Sequence, residues 1–188
     1  MNNYLLFTPP RTGRNFVQIS LFYCTKFWLE SNNNDYDLDL TQFDKVFSIA
    51  RDPKKSIASL ATMIDSDNIS LQDDNIKSAI FKYNNFMKTI NNSNIIIYKY
   101  DDLANNTSKL LIDLSSKVKR VMMLPYDSTE VNKLVQKFEK ENPYGYKQTF
   151  TNDKKYNEIL IKLESIDLSE SYLLYNQALE KSVKLNLT

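Results

Sequence analysis

The sequence predicts an α/β protein in which a parallel β-sheet is flanked by helices. Three observations predict it. Short apolar runs of strand length recur at Tyr4–Phe7, Lys45–Ala50 and Asn94–Tyr100, and the first two are apolar enough to be buried on both faces. Segments with helical spacing of apolar residues separate these runs, which is the pattern of parallel strands joined by helical crossovers. Each run also ends in polar or charged residues, where a parallel sheet turns out into loops. The 188 residues suit one domain spanning residues 1–188, large enough to bury roughly 70% of its unfolded surface.

Taken in order, Tyr4–Phe7 is a buried strand stopped by Pro9 and Pro10, which have no N–H to offer a ladder. From Asn15 to about Glu30 the chain is apolar on most sides and reads as an interior helix. Ser31–Asp35 is a polar loop, and the alternation of Asp37-Leu-Asp-Leu40 suggests a short edge strand. Lys45–Ala50 is the second buried strand. Asp52 then caps the next helix, Pro53 suits its first turn, and Ile57, Leu60, Ala61 and Ile64 share a face. A longer helix over 71–91 carries the stripe Ile76, Ile80, Tyr83, Met87 and Ile90. Asn94–Tyr100, β-branched at its centre, is the third strand. Thr107 caps a helix through Ser116. Asp127-Ser-Thr-Glu130 has capping-box spacing for a helix to about Glu141. Asn142–Tyr146 is a turn, and a helix over 169–184 closes the chain.

Composition removes several function classes. Net charge is +1, so no global basic field draws the chain to nucleic acid or a membrane, and neither is expected as a partner. No apolar run approaches the length of a membrane span, and Met1-Asn-Asn lacks the basic start of a signal peptide. The single cysteine, Cys24, excludes an internal disulfide and, in an apolar helix, reads as a buried core thiol. There is no histidine, which removes His-based catalysis, His-containing zinc sites and Ser-His-Asp triads. A cytoplasmic location is expected.

In a parallel α/β sheet, ligands bind beyond the carboxyl ends of the strands. Three segments leave such ends: Arg11–Phe16, Arg51–Ser59 and Tyr100–Asp102. The first joins strand to helix through a tight polar turn containing Gly13, one of only two glycines in the chain. Free backbone N–H groups and the positive end of a helix dipole converge in such a turn, and Arg11 and Arg14 add full charges, so the turn suits an anion. An ordinary strand-to-helix turn with solvated arginines accounts for it equally well. In the second segment Arg51 sits at a strand exit and Ser59 two helical turns on, within reach of one shared phosphate.

These segments resemble the sulfotransferases that use 3'-phosphoadenosine 5'-phosphosulfate (PAPS). Pro10-Arg-Thr-Gly-Arg-Asn-Phe16 is similar to their 5'-phosphosulfate loop. Val46–Ala50 followed by Arg51-Asp52-Pro53 and Ser59 is similar to their 3'-phosphate segment, with its spacing intact. Tyr100-Asp-Asp-Leu103 resembles a third element, and Tyr144–Lys147 with Phe150-Thr151 faintly resembles a fourth. The resemblance implies a P-loop NTPase-like sulfotransferase fold and transfer of a sulfuryl group from PAPS, as cosubstrate and without a metal, to a hydroxyl or amine acceptor. It implies that Arg11 holds the phosphosulfate and stabilises the leaving oxygen, with Thr12, Gly13, Arg14 and Asn15 around it. Phe16 and Tyr100 would pack against adenine. Arg51 and Ser59, helped by Lys147, would bind the 3'-phosphate. Such transfer is largely positioning plus neutralisation of departing charge.

The sequence departs from that pattern in three ways. Arg14 and Asn15 replace the usual threonines, the histidine that serves many members as base is absent, and the chain is short between the first helix and Arg51. A carboxylate base is then expected from Asp35, Asp37 or Asp39, with Asp39 and then Asp37 favoured. Two rivals remain. A P-loop nucleotide kinase is suggested by a strand ending in Asp101 and Asp102, although the Gly-x-x-x-x-Gly-Lys-Ser/Thr loop is absent. The other is an inactive nucleotide-binding or interaction module of the same descent. Neither the acceptor nor the oligomeric state is legible.

Overall fold

The computed structural model describes residues 3–32, 35–62, 69–141 and 153–185. Four strands form one all-parallel sheet in the order β2-β1-β3-β4. They are β1 (Tyr4–Phe7), β2 (Glu30–Asn32), β3 (Lys45–Ala50) and β4 (Ile96–Lys99). Leu6 of β1 faces Ser31 on one side and Phe47 on the other, and Phe47 in turn faces Ile96. The pleat sends alternate side chains to opposite faces. Leu5, Phe7, Val46 and Ile97 enter one core, while Tyr4, Leu6, Phe47, Ile49 and Tyr98 enter the other.

The first core is covered by α2 (Pro53–Thr62), α3 (Ile69–Asn92), α7 (Asp153–Lys162) and α8 (Ser169–Lys181). The second is covered by α1 (Arg14–Thr25) and α5 (Thr107–Lys117), with Leu103 of α4 (Tyr100–Asn105) at its upper end. Outside α1 lies α6 (Ser128–Glu141), whose Val131 and Val135 pack on Ile19. The predicted α/β architecture, a parallel sheet with helices on both faces, is therefore observed.

The crossover from β1 through α1 leads to β2 on one side of β1, while β3 pairs on its other side. Loops leaving β1 and β3 thus diverge to opposite faces, which opens a crevice between their carboxyl ends. That topology positions the site.

Several predicted elements change. The first helix stops at Thr25 rather than Glu30, because Lys26 takes a left-handed conformation (φ 57°) and its N–H donates to the Phe22 carbonyl. Glu30–Asn32, expected as helix end and loop, is an edge strand too short and too polar to show a hydrophobic period. Asp37–Leu40 is not a strand. Leu38 and Leu40 pack into the core from a turn that continues as a 3₁₀ helix over Leu40–Gln42, and Asp39 caps it. Tyr100, expected to end the third strand, begins α4, and α7 was not foreseen. The last helix ends at Lys181, after which the Val183 N–H donates to the Ile97 carbonyl and extends the β4 edge. Thr107 is the first residue of α5 rather than its cap, its hydroxyl donating to the Leu103 carbonyl. Asp127 does cap α6, accepting from Thr129 and Glu130 N–H, but Glu130 turns to Lys133 instead of closing the box. Ile64, the Asn142–Tyr146 turn and Lys147 lie outside the described residues.

The α3–α8 contact is fastened by Glu170, whose carboxylate accepts from Asn84 Nδ2 (3.0 Å) and pairs with Lys88 Nζ (2.7 Å). The Lys88 hydrogen bond and charge hold the Glu170 carboxyl below its ordinary pKa. A carboxylate depressed in the folded state stabilises above its unfolded pKa, and that contribution disappears as pH falls through the folded value. Glu170→Gln is therefore expected to lower the melting temperature at neutral pH, with the gap closing between about pH 5 and pH 3. Circular-dichroism melts across that range check it, and a gap independent of pH contradicts it.

Candidate functional site

Arg11 and Arg51 leave adjacent parallel strands at the crevice between them, and the structure brings them together. An Arg51 terminal nitrogen donates to the Arg11 carbonyl at 2.6 Å. Arg11 Nε donates to Ser59 Oγ on α2 at 3.0 Å. The Arg51 guanidinium lies over the Tyr100 ring, 4.5 Å from its centroid, a cation–π contact that fixes its plane. From below, the buried Tyr83 hydroxyl donates to the Arg51 carbonyl at 2.9 Å. Burial pushes the Tyr83 pKa well up, so the hydroxyl keeps its proton. One loop from β1, one from β3 and the first residue of α4 thus meet at a single point.

The β1 turn is built for close approach. Thr12 is fully buried and its hydroxyl donates to the Pro9 carbonyl, closing the turn. Gly13 has φ +87°, a conformation open to glycine at little cost, and a Cβ there would stand 2.7 Å from Leu103 Cδ2 and 3.3 Å from Tyr100 Cε2. Arg11 also has positive φ (67°). Such a conformation costs a non-glycine residue of order 1 kcal/mol or more and persists only where surrounding contacts impose it. Here the Arg51 hydrogen bond to its carbonyl is such a contact. Gly13 caps α1 without a side chain, and no acidic residue occupies the first helical turn. The helix therefore presents its positive end to the crevice.

Buried donors on the segments that leave β1 and β3 are left over. Arg51 Nε, Ser56 Oγ in the first turn of α2 and Thr8 Oγ1 at the end of β1 have no hydrogen-bond partner among the described residues. A buried unsatisfied donor costs roughly 1–3 kcal/mol, so the Arg51 Nε, left over at the crevice, suits an anionic ligand.

The remaining expected residues are elsewhere or engaged differently. Arg14 and Asn15 turn to a neighbouring cleft of about 310 Å³, lined also by Gln18, Trp28, Glu30 and Phe138. Within it Arg14 Nε donates to Asn15 Oδ1. The Phe16 ring meets Tyr126 edge-on, between α1 and the start of α6. Tyr100 offers a ring face to Arg51. Ser59, expected to share a phosphate with Arg51, is bonded to Arg11 instead.

Asp37 and Asp39 do not join the cluster. They follow Tyr36, whose carbonyl accepts from Thr89 in the last turn of α3, and they precede Asp44, whose N–H donates to Asn3 before β1. Both contacts belong to the opposite, amino-terminal edge of the sheet. Asp39 accepts from the Thr41 hydroxyl and N–H, which holds its pKa down and makes it a poorer base. The carboxylate that the sequence reading passed over is Glu30, in the cleft beside Arg14. The sequence places it at a helix end; its position as the first residue of β2, paired with Leu5, brings it there.

Fold and site together define an open parallel α/β protein with two arginines clustered at the sheet's switch point. Among the described residues no three His, Cys, Asp or Glu side chains are grouped to hold a metal ion. No protein-family model matches the chain, and no curated protein matches it significantly.

Gly13→Ala forces a side chain into a left-handed turn and against Leu103. It is expected to cost about 2 kcal/mol and lower the melting temperature by roughly 4–8 °C. A thermal melt checks this; an unchanged midpoint contradicts the turn geometry.

Proposed function

We propose that the Arg11–Arg51 cluster binds an adenine nucleotide carrying phosphate at both ends, and that the chain is a sulfotransferase using PAPS. One observation carries the reading: two guanidiniums from separate strand exits converge at a switch point where the buried Nε of Arg51 has no partner among the described residues. Arg51 is then the 3'-phosphate ligand, because its guanidinium offers donors beyond the one engaged by the Arg11 carbonyl. Arg11, beside the amino-terminal end of α1, neutralises the 5' end and steadies charge on the departing oxygen. Ser59 orients Arg11 through its Nε rather than meeting phosphate by itself. The fold would then be the P-loop-like sulfotransferase variant of the observed α/β architecture.

The acceptor approaches from the Arg14–Trp28–Phe138 cleft, which opens at the first turn of α1, three residues on from Arg11 in the chain. Glu30 is the carboxylate available there to take the proton of an attacking hydroxyl. The sulfur–oxygen bond to the nucleotide breaks, a sulfur–oxygen bond to the acceptor forms, and 3',5'-diphosphoadenosine leaves with the charge that Arg11 offsets. A second reading, a nucleotide-binding module without transfer, is favoured by one observation: the expected bases Asp37 and Asp39 sit at the other edge.

Three measurements separate these readings. At about 100 times its dissociation constant, 3',5'-diphosphoadenosine should stabilise the protein by roughly 2.7 kcal/mol, a rise of about 5–10 °C in melting temperature. ATP with magnesium should do far less; the reverse order selects a kinase. Arg51→Lys removes the planar fork and the Tyr100 contact, and should weaken nucleotide binding about tenfold or more. Normal binding by this variant overturns the assignment. Transfer of labelled sulfate by the wild type, reduced about a hundredfold or more in Glu30→Gln at unchanged nucleotide affinity, identifies the enzyme. Binding without any transfer identifies the module.

A further inference from the structure

At the end of the sheet opposite the arginine cluster, the loop between α5 and α6 carries an apolar tip in a cationic setting. Lys117-Val-Lys-Arg-Val-Met-Met-Leu-Pro-Tyr126 contains three cations and no carboxylate. Val121 is 82% exposed and Met123 67%, with Leu124 partly exposed beside them. That these bulky side chains face solvent is not a consequence of a loose loop. Lys119 N–H donates to Ser116, Arg120 N–H to Ser115, and the Met123 and Leu124 N–H groups both donate to the Cys24 carbonyl at the end of α1 (2.7 and 3.1 Å). The backbone is held, and the apolar side chains are held outward.

The surroundings are positive. Lys26, just past α1, has its ammonium near the rings of Phe22 and Tyr23, and Phe22 is itself exposed. The Arg120 guanidinium lies 4.7 Å from the Phe27 ring centroid, its charge carried on an apolar surface. Lys45, at the start of β3, donates to the Lys117 carbonyl at 3.0 Å, which fixes this end as the amino-terminal edge. Four carboxylates lie nearby: Asp113 pairs with Lys117, Glu130 pairs with Lys133, Asp44 accepts from the Asn3 N–H, and Asp127 caps α6; among the described residues none of them pairs with Lys26, Lys119 or Arg120.

We propose that this tip docks the protein on an anionic lipid surface, with Val121, Met123 and Leu124 entering the headgroup–acyl boundary and Lys26, Lys119 and Arg120 meeting lipid phosphates. Charge complementarity selects this occupant. Exposed apolar side chains ringed by Lys and Arg match an interface that is apolar inside and anionic at its rim. A second copy of the same face would bring like charges together, which disfavours self-association. The expectation of no membrane partner rested on a net charge of +1, but attraction to a surface acts over about a Debye length and therefore follows local charge. Docking in this pose turns the Arg11–Arg51 crevice away from the lipid and toward soluble nucleotide, yet the inference does not depend on any nucleotide being bound.

Vesicle co-sedimentation tests it with the full chain. Binding to vesicles of roughly 3:7 phosphatidylserine to phosphatidylcholine should exceed binding to phosphatidylcholine alone by about tenfold or more, and should fall as salt is raised. Lys119→Glu with Arg120→Glu should remove most of that difference. Val121→Asp with Met123→Asp should abolish binding, while thermal melts show the same midpoint as wild type because both positions face solvent. Equal binding to the two vesicle types, no binding to either, or unchanged binding in the apolar variant overturns the proposal. Sedimentation equilibrium adds a further check: a dimer in the wild type that the apolar variant dissolves assigns the face to protein association and likewise overturns it.

Discussion

The hydrogen bond from the Arg51 side chain to the Arg11 carbonyl joins the loops that leave β1 and β3, and the geometry at the carboxyl edge of the sheet depends on it. Those loops leave paired neighbouring strands but run to helices on opposite faces, so they diverge beyond the last ladder contact. A guanidinium spanning the crevice joins them with a charge-assisted bond, worth more than a neutral one in a partly buried setting. It also helps to hold Arg11 at positive φ, and so directs the Arg11 side chain toward Ser59. Tyr100 from above and Tyr83 from below fix Arg51 in turn. The scaffold thus fixes two positive charges before any ligand arrives, which is the preorganisation that anion binding and charge-transfer chemistry require.

Much of this was legible because it follows from apolar periodicity and from what ends a strand. Tyr4–Phe7, Lys45–Ala50 and Ile96–Lys99 announce themselves as apolar runs, and charged residues at their exits mark the edge where ligands bind in parallel sheets. β2 was not legible. Glu30-Ser31-Asn32 earns its place through backbone pairing with Leu5–Phe7, and an edge strand of three polar residues leaves no pattern of period two. That omission hid Glu30 as well. Asp37–Leu40 erred the other way: its alternation is real, but Leu38 and Leu40 reach the core from a capped turn, so the pattern reports burial without a pleat. Ser59 bonds to Arg11 rather than Arg51, and both that partner and the left-handed backbone at Arg11 are tertiary outcomes that the local sequence does not announce.

The two ends of the sheet divide the chemistry. At the carboxyl edge, two arginines, a helix amino terminus and an Arg51 Nε without a partner among the described residues favour a compact, highly charged anion. At the amino edge, cations are spread around an apolar tip and favour an extended anionic surface instead. A net charge near zero conceals both, because each is local: some carboxylates pair away from these sites, as Glu170 does with Lys88, and others near them are engaged in ion pairs and caps, as Asp113 is with Lys117.

The central claim is that Arg11 and Arg51 act as one clamp. Arginine Nε–H signals in nitrogen-15 spectra, followed as 3',5'-diphosphoadenosine is added, test it most directly, with Arg120 at the far end of the sheet as an internal reference. The account predicts that the Arg11 and Arg51 signals move together along one binding curve while Arg120 stays in place. Movement of only one of the pair, or separate curves for the two, would contradict it.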